Sequence, residues 1–238
     1  MSGLPPWETL LGWVAEGQQR TERASACLDP AGLCRPSRLP GWSRGHVLAH
    51  LSRNADALAN LLTWARTGVE IRMYATPDER EEGIRAGAHR ELPEQLADLA
   101  ASGARFRAAA EAVLPARRSV TVISGQGRQI PALEVPWLRV REIWLHLVDL
   151  DLGYDIGVLP DAIAWTLVQD AAAGLTRRAQ VTLDLRVEDH GTVRLGPGAF
   201  PDGVAAGNAQ QIAGWLTGRA GPAGLTGSGA WPDLPRWL

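Results

Sequence analysis

The sequence predicts an α+β protein that is mostly helical, with an N-terminal four-helix bundle over residues 1–157 and a smaller C-terminal α+β domain over 158–238. Three observations carry this. Up to residue 157 the apolar residues recur mainly at helical spacing. Beyond it, two segments alternate apolar and polar residues at period two, the mark of half-buried antiparallel strands. At 238 residues, with 45% hydrophobic and 21% charged, the chain exceeds the commonest single-domain size and has the apolar material for a packed core.

Pro5 and Pro6 lead into the first helix, which runs from Trp7 through Leu10, Leu11 and Val14 to about Leu28. Proline suits a helix start because its φ is fixed and the donor it lacks has no partner there. Residues 30–40, with Gly32 and Pro36, read as a connecting loop. Ser43 is the N-cap of a second helix that continues to Thr67, with Val47, Leu48, Leu51, Leu58 and Leu61 inward and Gly68 closing it. The charged stretch 69–90 contains a short helix over 77–88 and offers Arg72, Arg80 and Arg85. Pro93 opens the third bundle helix, through Leu99 and Phe106 to Val113. Two short strands, 120–123 and 128–130, flank a glycine-rich turn. The fourth helix, 139–150, lies between Pro136 and Gly153 and carries Val140, Ile143, Trp144, Leu147 and Val148.

The second domain opens with a helix at Pro160 and Asp161. Segments 181–187 and 192–195 are its alternating strands, with His190 and Gly191 between them. A helix over 208–218 follows. The tail from Gly221 is rich in Gly and Pro and is pinned by Trp231 and Trp237.

Composition excludes several functions. A net charge of −2 gives no basic footprint for nucleic acid. All 24 cationic residues are Arg, so a lysine Schiff base is excluded, and Arg is well suited to gripping carboxylates. Cys27 and Cys34 are too few for a disulfide framework and lack metal-ligand spacing, which leaves them as free thiols in a reducing compartment. No signal segment opens the chain, and no apolar run approaches the roughly 20 residues that span a bilayer. A soluble, cytoplasmic monomer acting on small molecules is expected, without nucleic-acid or membrane partners.

The chemistry concentrates on two helices. Glu142 and His146 stand at i and i+4, so their side chains project from one face. Among apolar neighbours they need a partner, a divalent metal or each other in a surface hydrogen bond. His46 and His50 lie one turn apart on the second helix, and His50, between Leu48 and Leu51, reads either as a ligand or as a satisfied core histidine. Three of the five histidines fall on these two helices. His50, Glu142 and His146 together would supply two nitrogens and one oxygen with a fourth position open, as in catalytic rather than structural zinc sites. Asp149 and Asn54, one turn further on, are candidates to orient an imidazole. Arg53, Arg80 and Arg141 are cations without an assigned role.

Five stretches carry a family resemblance: Gly41-Trp-Ser-Arg-Gly-His46-Val-Leu-Ala-His50-Leu, Met73-Tyr-Ala-Thr-Pro77, Gly125-Gln-Gly-Arg-Gln-Ile-Pro131, Arg141-Glu142-Ile-Trp-Leu-His146-Leu-Val-Asp149 and Pro235-Arg-Trp-Leu238. Over nearly its whole length the chain resembles the mycothiol-dependent maleylpyruvate isomerases. The resemblance implies a DinB-like four-helix bundle binding one divalent metal, zinc or similar, through His50, Glu142 and His146, with His46 left outside the ligand set. It implies mycothiol as the thiol cofactor and a cis dicarboxylate substrate, maleylpyruvate, isomerised to fumarylpyruvate in gentisate-type aromatic catabolism. It also implies a catalytic Arg late in the C-terminal domain, which in this sequence is Arg219, within Trp215-Leu-Thr-Gly-Arg219. The same metal and thiol would equally serve a mycothiol S-transferase acting on electrophiles, and a non-catalytic metal- or thiol-binding protein is a further alternative. The residues that bind mycothiol are not identified by any of these motifs.

Overall fold

The structure is a computed structural model that describes residues 3–228, 231–235 and 237. Met1 and Ser2, and Arg236 and Leu238 of the closing motif, lie outside the described residues. The chain is α+β and mostly helical, and its contacts divide it between Leu152 and Gly153 into two compact units.

The first unit contains α1 (Trp7–Ala26), α2 (Pro30–Cys34), α3 (Arg44–Thr67), α4 (Pro77–Ala88), α5 (Leu92–Glu111), the hairpin β1 (Thr121–Ile123) and β2 (Gln129–Pro131), and α6 (Val135–Asp149). Four of these form the bundle: α1 packs on α5 and α6, and α3 packs on the same two helices. Leu10, Leu51, Leu58, Phe106, Ile143 and Trp144 are among its buried side chains. α4 lies outside the four and packs along α3.

Two boundaries differ from the sequence reading. Residues 30–34, expected as loop, form α2, because the Asp29 carboxylate accepts the Gly32 N–H at 2.6 Å and Pro30 suits the first turn. α6 starts at Val135 rather than at 139, with Pro136 inside its first turn, where the missing N–H has no partner to lose.

A fully buried cation, Arg139, ties three bundle helices together. Its Nη1 donates to Leu51 O at 2.8 Å and to Asn54 Oδ1 at 3.0 Å on α3, and its Nη2 donates to Gln18 Oε1 of α1 at 3.1 Å. On the α3–α5 surface, Asp98 accepts from Arg53 and Arg90, and Asp56 accepts from Arg105. Arg53 is thereby committed to an ion-pair network.

The second unit contains α7 (Asp161–Leu175), β3 (Leu183–Val187), β4 (Gly191–Leu195), β5 (Gly203–Gly207), α8 (Ala209–Thr217) and β6 (Thr226–Ser228). The turn at Ile156–Val158 packs on α8, with Ile156 beside Gly214, so these residues belong here rather than to the end of the bundle. The sheet order is β4-β3-β5-β6, with β3 antiparallel to β4 and parallel to β5. The two alternating segments became β3 and β4. β5 and β6 were not foreseen, because Gly-Val-Ala-Ala-Gly carries neither alternation nor a β-branched run. Their pairing depends on those small residues: a Cβ on Gly227 would lie 2.1 Å from Val204 O. Trp231 packs edge-on against Trp215 at 5.4 Å, and Arg178 donates to Trp237 O at 3.2 Å, which ties down the tail.

Candidate metal centre

The start of α3 is built locally. Ser43 Oγ accepts the His46 N–H at 3.4 Å, and His46 Nδ1 accepts the Ser43 N–H at 3.3 Å, a reciprocal cap. His46 is therefore used in starting the helix. Burial, reinforced by neighbouring His89, holds its pKa below the usual histidine value, which favours the neutral ring this cap requires.

One turn later His50 is buried, and α6 brings Glu142 and His146 to it. His50 Nε2 lies 2.8 Å from Glu142 Oε2, and His146 Nε2 lies 3.2 Å from the same oxygen. Ligand-capable atoms of the three residues all fall within 4.8 Å of one another. The imidazoles meet edge to face, their centroids 4.7 Å apart, and Trp42 stands 5.5 Å from the His50 ring. Side-chain exposure is 5% for His50 but 21% for Glu142 and 13% for His146, so the cluster is closed on the α3 side and partly open on the other.

Behind His146, the buried Asp149 accepts a hydrogen bond from Nδ1 at 2.8 Å. This sets the tautomer and leaves Nε2 facing Glu142. Asn54, the other candidate for orienting an imidazole, accepts from Arg139 instead. His50 Nδ1 faces Arg80 Nη2 at 3.5 Å. Tyr74, from the loop before α4, lies close to Arg80, and burial pushes its phenol up to about 12.

Electrostatics make Glu142 the hub. Burial alone would raise its pKa, but hydrogen bonds from His146 and His50 outweigh it and hold the carboxyl well below the usual range. Burial likewise opposes charge on His146, and its bonds to Asp149 and Glu142 overcome this and raise its pKa. At His50 burial wins and the pKa is lowered.

The donor set fits a divalent metal. Ligand atoms bonded to tetrahedral zinc at roughly 2.0–2.2 Å stand about 3.3–3.6 Å apart; here they are 2.8 and 3.2 Å from Glu142 Oε2 and all within 4.8 Å of one another, so a small outward shift would seat an ion. Two imidazole nitrogens, one carboxylate oxygen and a carboxylate behind one imidazole are the parts of a mononuclear site with a vacant position. Among the described residues this is the one such cluster.

Arg219 lies in the second unit, just past α8. It is half-buried, its Nη1 donates to Thr217 O at 2.8 Å, and its backbone N–H closes on Gly214 O. Sequence reasoning did not anticipate the contacts of Tyr74, Arg80 and Trp42 with this cluster or with each other. The only available signal was that all three lie within or beside the motifs around residues 41–51 and 73–77.

A helical bundle with a partly open His/Glu/His cluster defines the class, a candidate mononuclear metalloprotein of catalytic type. The family described as the mycothiol maleylpyruvate isomerase N-terminal domain matches residues 14–151. The crystal structure of the mycothiol-dependent maleylpyruvate isomerase is similar at 34% identity and a TM-score of 0.88, covering 98% of each chain. That of its histidine-to-alanine mutant is similar at 33% identity with the same TM-score and coverage. No curated protein sequence matches the chain. The chain belongs to the mycothiol-dependent maleylpyruvate isomerase family. No helix among the described residues is long and apolar enough to cross a membrane.

Proposed function

We propose that the chain is a cytoplasmic, monomeric enzyme that isomerises maleylpyruvate to fumarylpyruvate with mycothiol, using one divalent metal, zinc by its donor set, held by His50, Glu142 and His146. The observation that carries this reading is family membership across nearly the whole chain together with that cluster. Bound there, a divalent cation would favour the thiolate form of a nearby thiol. Mycothiol would supply the nucleophile, whose addition to the cis double bond makes that bond single, so that rotation and elimination give the trans product.

The chain's own residues have three tasks. His50 and His146 present neutral imidazole nitrogens, and Glu142 brings the negative charge that offsets a dication. Asp149 holds His146 in the tautomer that leaves Nε2 free. Replacing Asp149 with asparagine is expected to weaken zinc affinity about 10- to 100-fold while the fold persists. Chelator competition measures this, and an unchanged affinity would remove Asp149 from the support of the site.

Arg219 is the proposed catalytic cation, holding a carboxylate or stabilising the charge that develops toward the neighbouring carbonyl. Such a role is worth about 2–4 kcal/mol, so Arg219→Ala should keep its metal and lose roughly 30- to 1000-fold in turnover. Wild-type kinetics in that variant would exclude Arg219. The reading as a whole is tested by following maleylpyruvate isomerisation with and without mycothiol. Conjugation of an electrophile such as monochlorobimane without any isomerisation would instead make the chain an S-transferase.

A further inference from the structure

α4 carries a cation where its pattern calls for an apolar side chain. Ile84, Gly87 and Ala88 are buried on the face that packs along α3, and a Cβ on Gly87 would lie 2.8 Å from Ala49 Cβ, so the two helices run in close contact. Arg80 stands one turn before Ile84 and continues that face. It also occupies the first turn of α4, where the helix dipole disfavours positive charge. The burial pattern does not call for an arginine here, and the flanking carboxylates of Asp78, Glu79, Glu81 and Glu82, which offset the dipole, do not explain why its guanidinium turns inward.

What Arg80 meets is the metal cluster. Its Nη2 lies 3.5 Å from His50 Nδ1, and the half-buried Tyr74 lies close to the guanidinium. Its ion pair is with Glu81, made through Nη1 rather than the Nη2 that faces His50, and the Glu81 side chain is 56% exposed. Water screens such a pair, so a better-placed carboxylate can displace it. Glu142 and Asp149 are meanwhile engaged by the two imidazoles. Next to a dication, Arg80 would be a surplus positive charge, which an incoming anion would balance.

We propose that Arg80 anchors one carboxylate of the substrate beside the metal cluster and sets the preference for a dicarboxylate over an uncharged electrophile. This rests on the function proposed above and adds the residue that selects its substrate. The planar guanidinium grips a carboxylate through two parallel hydrogen bonds, which fixes the distance of the attached double bond from the cluster as well as holding the charge.

The test uses the full, zinc-loaded chain without thiol and measures maleate binding by calorimetry, with uncharged dimethyl maleate as the control. Arg80→Gln should weaken maleate about tenfold or more, leave dimethyl maleate unchanged, and keep zinc affinity within about threefold. Arg80→Lys, which keeps the charge but not the fork, should fall between. In the isomerase assay, KM for maleylpyruvate should rise with the maleate loss while kcat changes less. Equal maleate affinity in wild type and Arg80→Gln would overturn the proposal. So would a parallel loss of zinc, which would mean that Arg80 acts through His50. A wild-type chain that fails to isomerise maleylpyruvate would refute the proposed function, and the maleate comparison would still decide the role of Arg80.

Discussion

Glu142→Ala should release the metal and abolish isomerisation together, with zinc affinity falling by more than the roughly 100-fold that marks the upper range for an orienting residue. The reason lies in one oxygen. Glu142 Oε2 sits 2.8 Å from His50 Nε2 and 3.2 Å from His146 Nε2, so it joins the proposed ligands of two helices and carries the negative charge of the set. Without it, two neutral imidazoles face each other across a space that lacks an anion. His50→Ala and His146→Ala should behave alike. Glu142→Gln separates charge from packing, because it preserves volume and can still hydrogen-bond but cannot supply a carboxylate. Metal content after dialysis against a chelator is the readout. Full occupancy in any of the alanine variants would remove that residue from the ligand set.

The largest loss of stability is expected at Arg139, away from the chemistry. Its guanidinium is fully buried and donates to Leu51 O, Asn54 Oδ1 and Gln18 Oε1, acceptors that are all formally neutral. Burial lowers its pKa to about 10, which still leaves it charged at neutral pH. Replacing a buried ion pair by apolar side chains can be nearly neutral because both charges leave together. Here the acceptors on α1 and α3 would stay behind unsatisfied. Arg139→Met should therefore cost about 3–5 kcal/mol and lower the transition of the first unit by roughly 6–20 °C. Arg139→Lys should cost less, since a single ammonium keeps the charge but cannot span both helices. Thermal unfolding followed by circular dichroism measures both, and a shift under about 2 °C for the methionine variant would show that the buried cation braces nothing.

Both residues sit on α6, yet they were unequally legible in the sequence. Glu142 and His146 share a face because a helix repeats every 3.6 residues, so their juxtaposition follows from local geometry alone. Arg139 reads as an ordinary charged residue near the start of a helix, and nothing within one turn of it indicates that its side chain lies in the core. The same contrast separates Asp149 from Asn54. Each stands one turn or less beyond a histidine, but Asp149 is buried against His146 whereas Asn54 turns to Arg139.

By itself the sequence determined what depends on neighbours a few residues apart: the helical period of the bundle, the Ser43 cap, the Gly68 stop, the hairpin and the alternating strands β3 and β4. These are short-range choices of backbone conformation, and the residue types that favour them are written in order along the chain. The family resemblance singled out His50 over His46, but no local pattern did, and the tertiary structure supplies the reason by bringing His50 to Glu142, 92 residues away. Only the tertiary structure decided that Arg80 reaches the same imidazole, and that a glycine- and alanine-rich segment becomes the strand between β3 and β6. Such contacts arise from how packed faces bring distant segments together. Packing energy is nearly blind to sequence separation, so no local pattern announces them.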